Sequence, residues 1–304
     1  MTVASTPSRE PAGRARARPA DPRHRTFLSL SLPATAALIA FIVAPILLMV
    51  SLSFRETLTR DLLGPFDPTL KNYQQAASIE DYWTILRTSA VMSFIVAVIA
   101  TALAYPVAYF LAFRAGSRAG TYLILLLVPF WTSYLLRVMA WKLMLGTSGV
   151  INEVLTGVGL IDEPLKALLY NRNTVVVTLI YVWIPFATLP ILAVLGRIDV
   201  RLHDAAADLF ASPAQQFIRV TLPLSVPGLI AAFLMVFIPT VGEYVTPLLV
   251  GGTSGIMYGN LIQDFFTRAG NWPLGAALSM VMLLLTLALV AVGLRLIDLR
   301  RVVA

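Results

Sequence analysis

RLHDAAADLFASPAQQFIRVTLPLSVPG, residues 201–228, is a polar island in an apolar chain. It carries Arg201, His203, Asp204, Asp208, two glutamines and Arg219, with oily sequence on either side. The pattern reads as two short helical turns separated at Ser212-Pro213 and stopped at Leu222-Pro223, because proline removes a backbone donor and restricts the residue before it. Asp204 stands as an N-cap or first-turn acid, and Ala205, Ala206 and Ala207 combine high helix propensity with little bulk. Such a helix can sink into a groove on another protein, with Leu209, Phe210 and Phe217 supplying apolar contact. The other reading is a solvated loop helix. The residues alone leave both open.

Around the island, apolar residues fill 58% of 304 positions and charged residues only 13%. Soluble domains carry about 25% charged residues, and the mean hydropathy here is +0.80. A helix crossing the hydrocarbon core needs about 20 apolar residues. Six runs qualify, at about 28–51, 88–113, 121–144, 174–195, 224–247 and 275–297. None carries the polar face a soluble helix would need. The expected fold is therefore an all-α membrane protein of six transmembrane helices.

The net charge of +7 could suggest nucleic acid, but its placement does not. Six arginines lie in the Pro/Ala-rich first 26 residues, a stretch without helix or strand period and so expected to be a disordered tail (1–26) ahead of the six-span domain (27–304). With that tail inside, the segments 114–120, 196–223 and 298–304 also fall inside. Together with Arg295 these hold fourteen of the 23 basic residues, against seven in the outer loops. The positive-inside rule then puts both termini in the cytoplasm of a multi-pass plasma-membrane protein surrounded by lipid. The first apolar run is too long for a signal peptide and no Ala-x-Ala site closes it.

Enzyme chemistry finds no foothold. There is no cysteine, which removes disulfides, iron–sulfur clusters and thiolate catalysis. Glycine-rich phosphate loops, H-E-x-x-H and G-x-S-x-G are missing, and none of the three lysines follows a glycine. Two histidines, His24 and His203, are too few and too far apart for a metal site. No catalytic residue, metal or cofactor is expected in this chain.

The order of residues in the island resembles a known pattern. Permease subunits of ATP-binding-cassette (ABC) importers carry a cytoplasmic loop of the form E-A-A, three residues, G, nine residues, I-x-L-P. Asp204-Ala205-Ala206 resembles the first triplet, Val220 stands at the isoleucine, and Leu222-Pro223 falls at the expected distance. VPFWTSYLLRVMAWKLML (128–145), GVINEVLTGVGLIDEPL (149–165), IPTVGEYVTPLLVGG (238–252) and NWPLGAALSM (271–280) are similar to the spermidine/putrescine branch of that family. The resemblance runs from roughly 28 to 300. It implies a type I importer permease fold, a second permease subunit, two ATPase subunits that hold ATP and Mg, and a solute-binding protein outside. It also implies that Asp204, Ala205, Ala206, Leu209 and Phe210 couple to an ATPase groove. One departure stands out. The family glycine is Phe210 here, and because phenylalanine resists positive φ the bend between the two short helices is expected to differ.

Ionisable residues inside a membrane are functional candidates by default. Arg137 lies about 24 Å along the third run and Glu243 about 28 Å along the fifth, at 1.5 Å per residue. Either they form a structural pair, or Glu243 lies on the solute path. Lys142, beside Trp141, is expected to snorkel to the outer interface. Trp131, Tyr134, Trp183 and Tyr244 sit at mid to outer depth, where rings can hold an organic cation or simply pack. Pro129, Pro185 and Pro239 are expected to open the backbone near them, whereas Pro190 and Pro247 read as helix ends. The competing class, an ion-coupled secondary transporter or channel for a small organic cation, needs midplane acids and often an internal repeat. Neither is visible.

Overall fold

The computed structural model describes residues 22–56, 68–165 and 168–296, which leaves most of the basic tail and the last eight residues outside the described part. Two compact units divide the chain, Met1–Leu48 and Met49–Ala304. Helix α1 (Pro22–Ser53) carries the first apolar span, Thr35–Ser53. It begins at Pro22, so residues 22–26, assigned to the tail from sequence, are helical.

In the second unit the described helices are α2 (Lys71–Ser78), α3 (Glu80–Phe113), α4 (Ala119–Leu127), α5 (Tyr134–Leu145), α6 (Val150–Gly157) and α7 (Arg172–Leu195). They continue as α8 (Arg201–Asp208), α9 (Pro213–Gln216), α10 (Leu222–Val241), α11 (Tyr258–Thr267) and α12 (Trp272–Leu296). The apolar content follows the sequence reading: α1, α3, α7, the continuous stretch Pro213–Val241 and α12 are each long enough to span. The third run is different. Gly116–Trp131 and Tyr134–Gly157 meet at 85°, so what reads as one helix over 121–144 is broken. Pro129 explains the break. It sits in a 3-10 turn, Val128–Trp131, after which Thr132 is extended, and Thr132 Oγ1 donates to the Pro129 carbonyl at 2.6 Å.

The core is the mutual packing of α3, α7 and α10. In a bilayer there is no gain from moving apolar groups out of lipid, so close backbone approach and van der Waals contact must hold helices together. The sequence supplies small residues for this: Ala97, Ala100, Ala104 and Ala108 are fully buried on α3, facing Ala187 of α7 and Ala232 of α10 within one cluster. At Gly228 a Cβ would meet the Pro190 carbonyl and Val194 at 3.1 Å, so α10 crosses α7 where glycine allows it. The opposite faces carry large exposed residues such as Val91, Phe94 and Leu103, as lipid contact requires. Pro190 lies inside α7 rather than at its end. Its missing N–H and that of Pro185 are tolerated within this packed bundle.

α3 is 34 residues, about 51 Å, and so overruns a hydrocarbon core of about 30 Å. Its first turns form a second cluster, in which Leu86 packs with Ala76 of α2, Tyr258 of α11 and Leu274 and Leu278 of α12. Ser89 Oγ accepts the Tyr258 backbone N–H at 2.7 Å, and burial pushes the Tyr258 phenol above the ordinary tyrosine range. The segment after the broken span is held by Asn152. Its amide donates to the Gly146 carbonyl at 2.9 Å and accepts from the Leu165 N–H at 2.8 Å.

Candidate functional site

The broken span positions one group of candidate residues. Tyr134 opens α5 directly after the break, and its hydroxyl meets Thr246 Oγ1 at 2.5 Å. Thr246 is fully buried. Its backbone N–H donates to Glu243 Oε1 at 3.1 Å, and the Val245 N–H donates to the same oxygen at 2.9 Å. α10 ends at Val241, so Glu243 lies beyond it and caps the helical turn that begins at Val245 and continues as a π segment, Pro247–Gly251. Two N–H groups at a helix start are where a carboxylate is favoured. The helix α11 lies close by. A Cβ on Gly259 would meet the Gly242 and Glu243 carbonyls at 2.6 and 2.7 Å, so glycine permits that approach. Asn260 Nδ2 donates to the Tyr244 carbonyl at 2.7 Å.

Arg137 does not join this carboxylate. Among the described residues the ion pairs are Lys71–Glu56 and Arg268–Asp264. Of the two readings, the Arg137–Glu243 pair is not formed among the described residues: it rested on a uniform rise along a straight third helix, and the 85° bend redirects α5. The Arg137 guanidinium lies instead over the Phe130 ring at 4.4 Å and near the Tyr134 ring at 5.8 Å. Its Nε is buried with no hydrogen-bond partner among the described residues. Phe130 meets Phe186 edge-on at 4.4 Å, and Phe186 meets Trp183 at 5.5 Å. A cavity of about 250 Å³ opens beside Arg137, between Pro129, Phe130, Tyr181 and Pro185. Delocalised charge on an aromatic face is a stable arrangement for arginine at low dielectric.

The structure therefore brings Arg137 and Trp183 into one aromatic cluster and links Tyr134 to Glu243 through Thr246. Tyr244 is adjacent and half-exposed; Trp131 is 83% exposed and stands outside the cluster. Lys142 lies over Tyr170 at 5.7 Å. Sequence reasoning did not single out Phe130, Phe186, Thr246 or Asn260. Apolar phenylalanines and a threonine in a membrane run give no signal until the bend brings them together.

The candidates of the loop between α7 and α10 form a second, separate site. Asp199 Oδ1 accepts the Arg201 N–H at 2.9 Å at the start of α8, and Asp204 is the acid of the first turn rather than the cap. At the other end the Phe210 N–H donates to Ala207 at 2.8 Å and the Ala211 N–H to Ala206 at 3.0 Å. This pair of bonds is the Schellman closure, whose residue after the cap takes the left-handed conformation and is usually glycine. Here it is Phe210, with φ +58°. The bend therefore keeps a glycine's geometry despite the side chain, contrary to the sequence expectation. A non-glycine residue in that region costs about 1–2 kcal/mol. Phe210 is 95% exposed and Leu209 82%, with α8 itself half-exposed to exposed through Ala205 and Ala206.

The bend is rigid on its far side too. Ser212 and Gln215 form a capping box, each side chain bonded to the other's backbone N–H. Leu222-Pro223 does not stop the helix. A π segment, Phe217–Thr221, runs directly into α10, with Pro223 in the first turn, where its missing N–H is harmless. Phe217 turns inward, edge-on to Tyr105 and Tyr109, so it is unavailable to a partner. His203, which no motif singled out, ties α8 to the bundle: its Nε2 meets buried Thr221 Oγ1 at 2.9 Å and its ring meets Phe113 of α3.

No family model matches the chain. It is similar to the spermidine/putrescine transport system permease protein PotB of Haemophilus influenzae, 34% identical over 257 residues, covering 84% of this chain and 88% of that protein. PotB of Escherichia coli strain K12 is 35% identical over 247 residues, covering 81% and 88%. The trehalose/maltose transport system permease protein MalF of Thermococcus litoralis is 27% identical, covering 89% and 92%. Among solved structures, a chain of a bacterial ABC transporter involved in the import of the acidic polysaccharide alginate matches with TM-score 0.67 at 14% identity, covering 90% of this chain and 96% of that one. The shared fold and the identity to the PotB proteins over most of both chains establish that this chain belongs to the ABC importer permease family, in the branch of the spermidine/putrescine transport system permease proteins.

Proposed function

We propose that this permease carries a polyamine of the spermidine/putrescine class inward across the inner membrane, driven by ATP hydrolysed on separate subunits. The observation that carries the substrate class is the 34–35% identity to the PotB proteins over more than four-fifths of the chain. In this reading two ATPase subunits hold ATP and Mg, a second permease completes the pathway, and a binding protein delivers the solute from outside. The chain itself holds no cofactor. Both termini face the cytoplasm, in keeping with the arginine bias of the tail and inner loops.

Each site then has a role. Glu243 and Tyr244 face the solute, the carboxylate drawing an ammonium group and the ring lying alongside it. Arg137 and Trp183 brace the bend, and the arginine's charge, held on Phe130, helps a cation leave once it has passed. Asp204, Ala205, Ala206, Leu209 and Phe210 seat against the ATPase. His203 transmits that movement to α10 through Thr221, and α10 leads to Glu243. The test is uptake by proteoliposomes holding the assembled transporter: ATP-dependent accumulation of labelled spermidine or putrescine is expected. Uptake that proceeds without the ATPases, or ATP-driven uptake that excludes both polyamines, contradicts the proposal.

A further inference from the structure

Two neighbouring hollows on the lipid-exposed face of α3 share Arg87 and Val91, and neither holds a candidate site residue. The first is a groove of about 710 Å³ between α3, α10 and α12. Its walls are apolar, with Phe94, Val98, Phe233 and Leu289 among them, and Arg87 is the one charged side chain among the described residues that line it. Along α3 the groove runs from Arg87 to Thr101, about 21 Å at 1.5 Å per residue. That exceeds half of a hydrocarbon core of about 30 Å, so an acyl chain of a single leaflet fits along it.

The second hollow, of about 330 Å³, lies between α3 and the start of α7. Arg87, Arg172, Thr88 and Asn173 supply its polar lining, and no acid is among the described residues around it. Neither arginine enters an ion pair among the described residues. No acidic residue stands three or four positions from either, where a helix would pair it. Arg172 is also the first residue of α7, where the helix dipole disfavours a cation and favours an anion. It opens an apolar span that ends at Leu195, and exposed Trp83 lies one turn before Arg87. Both positions mark the depth of lipid headgroups.

We infer that the two hollows together bind an anionic phospholipid. Arg87 and Arg172 hold the headgroup phosphate, with Thr88 and Asn173 as further donors, and one acyl chain lies in the groove between α3 and α10. Guanidinium groups suit phosphate oxygens because each offers two parallel donors. A free phosphate would use the polar hollow alone and leave the groove unoccupied. A helix of another subunit could fill the groove, but two arginines at one end and an uncharged remainder match the amphipathic outline of a lipid. Bound there, the lipid joins α7 to α10 and α12 across the face of α3, whichever solute is carried.

The test uses the assembled transporter in mild detergent and phospholipids with a photoreactive group at the end of one acyl chain. Phosphatidylglycerol is compared with phosphatidylcholine of the same chains. Phosphatidylglycerol should label Val98, Leu229 and Leu289 at least about tenfold more, since each arginine beside an anionic headgroup adds to binding. Arg87→Gln combined with Arg172→Gln should lower it to the phosphatidylcholine level, with the melting temperature in phosphatidylcholine unchanged. Inorganic phosphate should not compete. Equal labelling by the two lipids in the parent transporter overturns the inference and makes the groove ordinary lipid contact, a comparison that decides even where the double variant is unstable. Failure of both lipids to label the groove, as expected if a helix of the second permease fills it, overturns it too. Displacement by inorganic phosphate would reassign the arginines to a free anion.

Discussion

Tyr170, just before α7, and Phe210, just after α8, share one unusual backbone conformation, but their surroundings could hardly differ more. Around Tyr170 the chain closes on itself: Gly252 presses on its backbone and Lys142 covers its ring. Elsewhere in the loops that join the spans, Asn152, Thr246 and Asn260 likewise bind polar groups of the chain itself. Around Phe210 the polar groups are satisfied, yet the apolar tip faces outward uncovered. The difference separates two kinds of site. In the first, the chain's own groups meet one another and hold the charged side chains in place. The second has an ordered backbone and an unfinished surface, as expected of a part whose other half belongs to another protein.

The largest effect expected on the self-contained side is on transport. Glu243→Gln keeps a carbonyl oxygen that can accept the Val245 and Thr246 N–H groups, so the turn should survive and the melting temperature should shift by no more than a few degrees. The lost charge should weaken apparent polyamine affinity about tenfold, as expected when a charge-assisted bond becomes a neutral one. Because Arg137 is not its partner, adding Arg137→Gln should not restore uptake. A sharp fall in stability that the double change repairs would mean that the two residues pair in the resting protein after all.

Sequence reading reached the spans because a membrane helix is specified by bulk apolarity, which composition records directly. It expected an irregular backbone near Pro129, which the 3-10 turn there bears out, but not the 85° break of the span, because Thr132 and Ser133 are as compatible with a helix as with a bend. Pro129 gave the only hint, and most prolines here, including Pro185 and Pro190, stay inside helices. The Arg137–Glu243 pair was lost with that bend. The loop between α7 and α10 was legible as a short-helix element because its charges and alanines stand out against apolar flanks. The inward turn of Phe217 was not, since an aromatic on a short helix is equally suited to either face until the tyrosines of α3 are placed beside it.

A smaller effect should sharpen the contrast between the two strained residues. Glycine relieves positive φ at both positions, worth about 1 kcal/mol. At Phe210 almost no contact is lost, so the melting temperature of the isolated permease should rise by a degree or more. At Tyr170 the same change removes the ring beneath Lys142 and its packing, so the gain should be cancelled or reversed. Equal stabilisation at both sites would show that Tyr170 is no better supported than Phe210.

The central claim is that the exposed tip of the loop is covered by the ATPase in the working transporter. The chain contains no cysteine, so a cysteine at Leu209 can be followed by itself. Its alkylation rate by a water-soluble maleimide is measured in nanodiscs with and without bound ATPase subunit. Rapid modification of the free permease and protection of at least tenfold on ATPase binding are predicted. Equal rates in the two states, with the ATPase shown to remain bound, would contradict the account.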